Sequence, residues 1–217
     1  MREAIYTIPL NDVFGPKEGC PVCRLFDMLE TRCIEYVTGA AMMEPDIRIE
    51  TNRYGFCGEH LNMLLRQKNR LSVALLLETR MDEILQLHMP PHNRKGQPSP
   101  ADTCFVCREI GGAAQRLLST AVNLYGSDME FQKLFLEQEY YCLEHYFLLC
   151  QIAGEELGRK ASARFIGDLT GHTREYLTLL RRDVHDFSTM FDYRNSSAAK
   201  EDERMKTALE RAETFLG

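Results

Sequence analysis

Two short words rich in metal-binding donors occur twice in this chain, in the same order. Cys20-Pro21-Val22-Cys23-Arg24 precedes Phe56-Cys57-Gly58-Glu59-His60, and Cys104-Phe105-Val106-Cys107-Arg108 precedes Tyr141-Cys142-Leu143-Glu144-His145. The second and third cysteines are separated by 33 residues in the first half and by 34 in the second. Repetition at matched spacing is the mark of a duplicated metal site. Thiolate and imidazole suit a tetrahedral ion, and three Cys with one His fill four positions from the protein alone. The sequence therefore predicts one site from Cys20, Cys23, Cys57 and His60 and a second from Cys104, Cys107, Cys142 and His145. Two zinc ions are the expected cofactors, with an iron–sulfur cluster on the same donors as the alternative.

Donors three residues apart on a helix point the same way, so each word can present two ligands to one ion. Each word also sits at a predicted helix start, where unpaired N–H groups and the helix dipole favour thiolate. A set that fills all four positions leaves none for a reacting water, which points to a structural ion and away from an enzyme. Arg24 and Arg108 are expected to donate toward the thiolates or a facing carboxylate, and Glu59 and Glu144 to lie beside the sites as solvated carboxylates at helix N-termini. Cys33 and Cys150 lie too far along their helices to join either ion and read as packing residues.

Helices must position these words. One is predicted from the first word to Gly39, with Pro21 in its first turn and Val22, Leu25, Phe26, Leu29, Cys33 and Tyr36 or Val37 on its apolar face. Residues 40–55 contain Pro45 and alternate charged with aliphatic side chains, which reads as a loop or extended arm. Glu44, Asp46, Arg48 and Arg53 on this arm are candidate contacts for a ligand or partner, because the second half has no counterpart to it. A further helix starts near Cys57 and continues or kinks near Asn69. The second half repeats the plan from Cys104 to Gly126, then adds a short helix opened by a capping box of Ser127 and Glu130. Helices from Cys142, from 160 to 186 and from 198 to 216 complete the chain. The class is all-α, as two tandem lobes, 1–89 and 102–217, joined by a linker at 90–101 that is rich in Pro and polar residues. Residues 4–14 are the one stretch left open to a strand. His88 and His92, spaced as a ligand pair, are separated by two prolines and read as linker.

The chain has 217 residues and a net charge of −6, which disfavours a broad nucleic-acid-binding face. No apolar run is long enough for a membrane span and no signal peptide is visible, so a cytoplasmic location with reduced thiols is expected. The partner is expected to be a protein or a small molecule of unknown identity, and the sequence does not specify an oligomeric state. Further expectations come from Met1-Arg2-Glu3-Ala4-Ile5-Tyr6-Thr7-Ile8-Pro9, the Cys-Pro-x-Cys word, the Met-Met-Glu-Pro-Asp-Ile-Arg-Ile-Glu-Thr-Asn arm and Gly55-Phe56-Cys57-x-x-His60. Together these resemble an uncharacterised family of bacterial cytosolic proteins. The resemblance implies a bacterial origin and a shared architecture, and it carries no reaction. Three functions follow: a zinc-stabilised interaction or ligand-binding module without catalysis, a redox sensor based on iron–sulfur or thiol chemistry, or an enzyme whose site lies on the 42–53 arm.

Overall fold

The computed structural model describes residues 8–87, 89, 103–189 and 203–217. Among these residues all regular structure is helical. Ile8–Phe14 forms α1, which settles residues 8–14 as helix. Pro21–Thr38 forms α2, with proline at its first position, where no N–H is needed. Its apolar face is broadly the one expected: Val22, Leu25 and Val37 are fully buried, Ile34 joins them, and Tyr36 is exposed.

The arm is helical, which corrects the expected loop. Ala40–Met43 makes a short 3-10 turn, and α3 spans Pro45–Tyr54. Pro45 starts that helix, Glu44 is its N-cap residue, and Asp46 and Arg53 match the helix dipole at its two ends. Gly55 ends it with φ of +62°, a conformation that favours glycine. The buried Arg80 guanidinium donates to the carbonyls of Asn52 and Arg53, two of the acceptors left open at the end of α3.

Next come α4 (Gly58–Leu65) and α5 (Arg70–Leu87). Asn69 divides them: its Oδ1 accepts from the Ser72 N–H at 3.2 Å, and its Nδ2 donates to the Thr38 carbonyl at 3.0 Å. Phe105–Ser127 forms α6 and Met129–Leu136 forms α7. Asp128, and not Ser127, caps α7 by accepting from the N–H groups of Glu130 and Phe131. The Ser127 hydroxyl is already used, donating to the Asn123 carbonyl one turn back. The remaining helices are α8 (Leu143–Glu156), α9 (Arg159–Thr189), α10 (Glu203–Lys206) and α11 (Ala208–Leu216).

The chain forms two compact units that are not its two sequence halves. One combines Met1–Leu25 with Arg116–Gly217, and the other is Phe26–Gln115. The boundaries fall inside α2 and α6, so they differ from the tandem lobes 1–89 and 102–217; residues 90–101 lie outside the described residues. The first unit is built on an aromatic core. Phe14 packs edge-on to Phe131 with ring centres 5.2 Å apart, and Phe135 stacks on Tyr141 at 4.7 Å and touches Tyr125 and Phe165. In the second unit, Ile34, Val37, Leu64, Val73, Phe105, Val106 and Ile110 form the core. Ile47 and Tyr54 of α3 pack against it, which holds the arm in place.

Candidate metal centres

In all four donor words the first residue lies immediately before a helix and the second lies in its first turn. Cys57 and Cys142 are the N-cap residues of α4 and α8, both with extended backbone. The carbonyls of Cys20, Cys57, Cys104 and Cys142 each accept the N–H four residues on, at 3.3, 2.8, 3.2 and 2.8 Å. One local geometry is therefore used four times, at the starts of α2, α4, α6 and α8.

The structure gathers all eight predicted donors into two groups, but the groups are exchanged between the halves. Cys20 and Cys23 meet Cys142 and His145 in a first centre, and Cys57 and His60 meet Cys104 and Cys107 in a second. The expected pairings of Cys20 and Cys23 with Cys57 and His60, and of Cys104 and Cys107 with Cys142 and His145, are corrected. Helix lengths supply the physical reason. With 18 residues, α2 is about 27 Å long, whereas α3, with ten, spans only about 15 Å. In the second half, α6 has 23 residues and α7 eight. The second word of each half therefore does not return to its own first word.

In the first centre, His145 Nδ1 lies 3.0, 3.3 and 3.7 Å from the Sγ atoms of Cys142, Cys23 and Cys20, and the Sγ atoms of Cys23 and Cys142 are 3.8 Å apart. In the second, His60 Nδ1 lies 3.1, 3.4 and 3.5 Å from those of Cys57, Cys107 and Cys104, and the Sγ atoms of Cys57 and Cys107 are 3.9 Å apart. A tetrahedral ion with metal–sulfur bonds of about 2.3 Å and metal–nitrogen bonds of about 2.05 Å requires edges of roughly 3.8 and 3.6 Å. The sulfur–sulfur distances of 3.8 and 3.9 Å match the first edge, the sulfur–nitrogen distances run from 3.0 to 3.7 Å and mostly fall short of the second, and all the cysteines are free thiols.

Charge within each group makes the same point. Hydrogen bonds with Cys142 and Cys23 hold the Cys20 thiol down to about 3, while its contacts with Cys142 and Cys20, together with burial, push Cys23 far above the thiol range. Burial pushes the Cys57 thiol up, but the His60 N–H and ring together with Cys104 outweigh it, giving about 7. Burial and the neighbouring Cys104 and Cys57 push Cys107 up to about 12. Crowded thiols cannot all ionise beside one another without a cation between them.

Residues around the second centre complete it. His60 Nε2, on the far side of the ring from the sulfurs, is buried without a hydrogen bond and has the Glu30 carboxylate 3.5 Å away, the group placed to accept from it when Nδ1 binds a metal. Glu30 was not among the sequence candidates, because a glutamate on a helix carries no metal signal by itself. Arg108 donates to Glu50 at 2.9 Å and stacks over Tyr54 at 4.2 Å, so its partner is a carboxylate of the arm. The Phe105 N–H donates to the Gly55 carbonyl at 2.9 Å and the Thr103 hydroxyl to that of Tyr54 at 2.7 Å, tying the start of α6 to the strand of chain before Cys57.

Near the first centre, Pro21 has no N–H to make the corresponding bond, and Glu139 supplies the tie with both its side chain and its backbone. Glu139 accepts from the Gly19 N–H at 2.7 Å, and its own N–H donates to Lys17. Arg24 does not reach the thiolates. It donates to the carbonyls of Val13, Glu18 and Pro16 and to Gln138, ordering the loop that leads to Cys20. Glu59 and Glu144 are exposed in the first turns of their helices. Of the arm candidates, Glu44, Asp46 and Arg53 are exposed and Arg48 is half-buried. Glu44 accepts from the Tyr36 hydroxyl at 3.4 Å and Arg53 lies over the Tyr54 ring. Cys33 packs against the core of the second unit, where burial pushes its thiol up to about 11.

A family model covers the chain in two overlapping segments, residues 1–100 and 95–217. The chain belongs to DUF6062, a family of unknown function. No curated protein and no solved structure matches it. Membership in DUF6062 assigns no reaction, so chemistry must be argued from the two centres. Among the described residues, no helix of this DUF6062 protein is long and apolar enough to cross a membrane.

Proposed function

We propose that this protein is a zinc-stabilised helical scaffold without catalytic chemistry, presenting surfaces for a protein or small-molecule partner in a reducing, cytoplasmic setting. The observation that carries this reading is the completeness of both centres: each gathers four protein donors within 4.8 Å of one another. Zinc is favoured over other ions because three thiolates and an imidazole, contributed by two paired words, form a common closed zinc set. Each ion fastens two helix starts, α2 to α8 and α4 to α6, so its binding free energy becomes folding free energy. The arm supports an interaction role, since α3 is held beside the second centre while Glu44, Asp46 and Arg53 stay exposed.

Elemental analysis with a visible spectrum on anaerobically purified protein tests the reading. The expected result is about two zinc ions per chain and no visible absorbance, as follows from two closed d10 sites. Iron with charge-transfer bands would replace this reading with a cluster-based one.

A further inference from the structure

The two centres have the same donors but different exposure. In the first, Cys20 is 2% exposed, Cys142 6% and His145 9%, and Cys23 is half-buried. In the second, Cys107 is exposed, Cys57 and Cys104 are half-buried, and only His60 is sealed at 2%. A metal-bound thiolate remains a nucleophile, and its oxidation depends on access as well as charge. From this asymmetry we infer that the second centre is an oxidant-responsive switch entered through Cys107, while the first is a permanent fastening. The inference rests on the proposed metal occupancy of both centres.

The oxidant is a peroxide. The Cys107 thiolate attacks one peroxide oxygen; an S–O bond forms, the O–O bond breaks, and the second oxygen leaves as hydroxide. Sulfur has lost two electrons to the peroxide and is a sulfenic acid. The Cys57 thiolate, whose Sγ lies 3.9 Å from that of Cys107, then attacks this sulfur. An S–S bond forms, the S–O bond breaks, and a second hydroxide leaves. One peroxide and two thiolates thus yield one disulfide and two hydroxides, which take up protons from solvent to become water. Cys104 and His60 alone cannot hold the ion, and it is released. Cys57 follows the arm helix by only three residues, so the change occurs where α3 is fastened.

The experiment uses the intact wild-type chain. Hydrogen peroxide is titrated in while a chromogenic chelator reports released zinc, and cysteine pairing is mapped by alkylation and mass spectrometry. The expected result is release of one of the two ions, with Cys57 and Cys107 joined and Cys20, Cys23 and Cys142 still reduced. Simultaneous loss of both ions, earlier loss from the first centre, or a bridge that omits Cys107 would overturn the inference. Protein that carries no metal before peroxide is added would instead remove the metal reading on which it stands.

Discussion

The exchange of donors between halves can be tested by removing two cysteines at a time. A structural zinc site is worth about 10–16 kcal/mol near neutral pH, so an even share assigns about 2.5–4 kcal/mol to each of four donors. At about 1.4 kcal/mol per decade, one lost thiolate weakens its ion roughly 100- to 1,000-fold. Cys57→Ser with Cys107→Ser removes two donors from one centre and leaves the other complete. Cys23→Ser with Cys57→Ser removes one from each. Each variant is passed over a desalting column in a chelator whose affinity lies between those of intact and three-donor sites, and its zinc is then counted. The first pair is expected to keep about one ion and the second pair almost none, following the ligand count. If Cys23→Ser with Cys57→Ser keeps one ion while Cys57→Ser with Cys107→Ser loses both, the donors pair within halves and the structural assignment is refuted.

In the metal-free chain, acid should neutralise Cys57 before Cys20. Both Cys20 and Cys57 sit below the ordinary thiol value in the folded chain, so the stability each contributes is present above that value and is lost as pH falls through its folded one. That loss comes near 7 for Cys57 and only near 3 for Cys20. On stepping from pH 8 to 5, alkylation of Cys57 should slow before that of Cys20; earlier slowing at Cys20 would contradict this. Cys23 and Cys107, whose thiols are pushed up, must give up protons on metal capture, so affinity should rise with pH, measurable as heat that varies with buffer ionisation. Glu30→Gln keeps the shape of the side chain but removes its charge from His60, and should weaken the second ion by about 10- to 100-fold in a chelator competition. Gly55→Ala places a Cβ 2.7 Å from Arg80 Nε at a φ of +62°, and should lower the thermal midpoint of unfolding. An unchanged midpoint would show that the Arg80 cap of α3 yields without cost.

Much of this architecture is legible in the spacing of residues, and the failures have a common cause. Helix starts at Cys20, Cys57, Cys104 and Cys142 follow from donors three apart beside apolar residues at helical period, and a donor pair is a local object. Which pair meets which is set by how far α2 and α6 run before the chain turns back, and no four-residue word records that. In sequence the arm reads as loop because of Pro45 and its alternating charges, although proline at the first helical position starts a helix. The rest of α3 is held by what it touches: Ile47 and Tyr54 on the core, Arg80 at its end and Arg108 on Glu50. The two arginines lie 27 and 58 residues from the groups they hold, beyond the reach of any local pattern.

Exchange of donors between halves costs the chain little. Closing a loop costs about (3/2)RT ln n, so its dependence on length is weak. Cys23 and Cys142 are 119 residues apart, and Cys57 and Cys107 are 50 apart. Relative to pairing Cys23 with Cys57, the longer closures cost about 1 and 0.4 kcal/mol. Against about 10–16 kcal/mol for each ion, this penalty cannot enforce pairing within a half. Helix geometry therefore decides the partners, and the outcome has a structural consequence. A half of this chain holds two donor pairs yet completes no centre, so each ion joins the first half to the second. Metal binding is then a requirement of the whole chain, and the repeat is best understood as two interlocked copies of one motif.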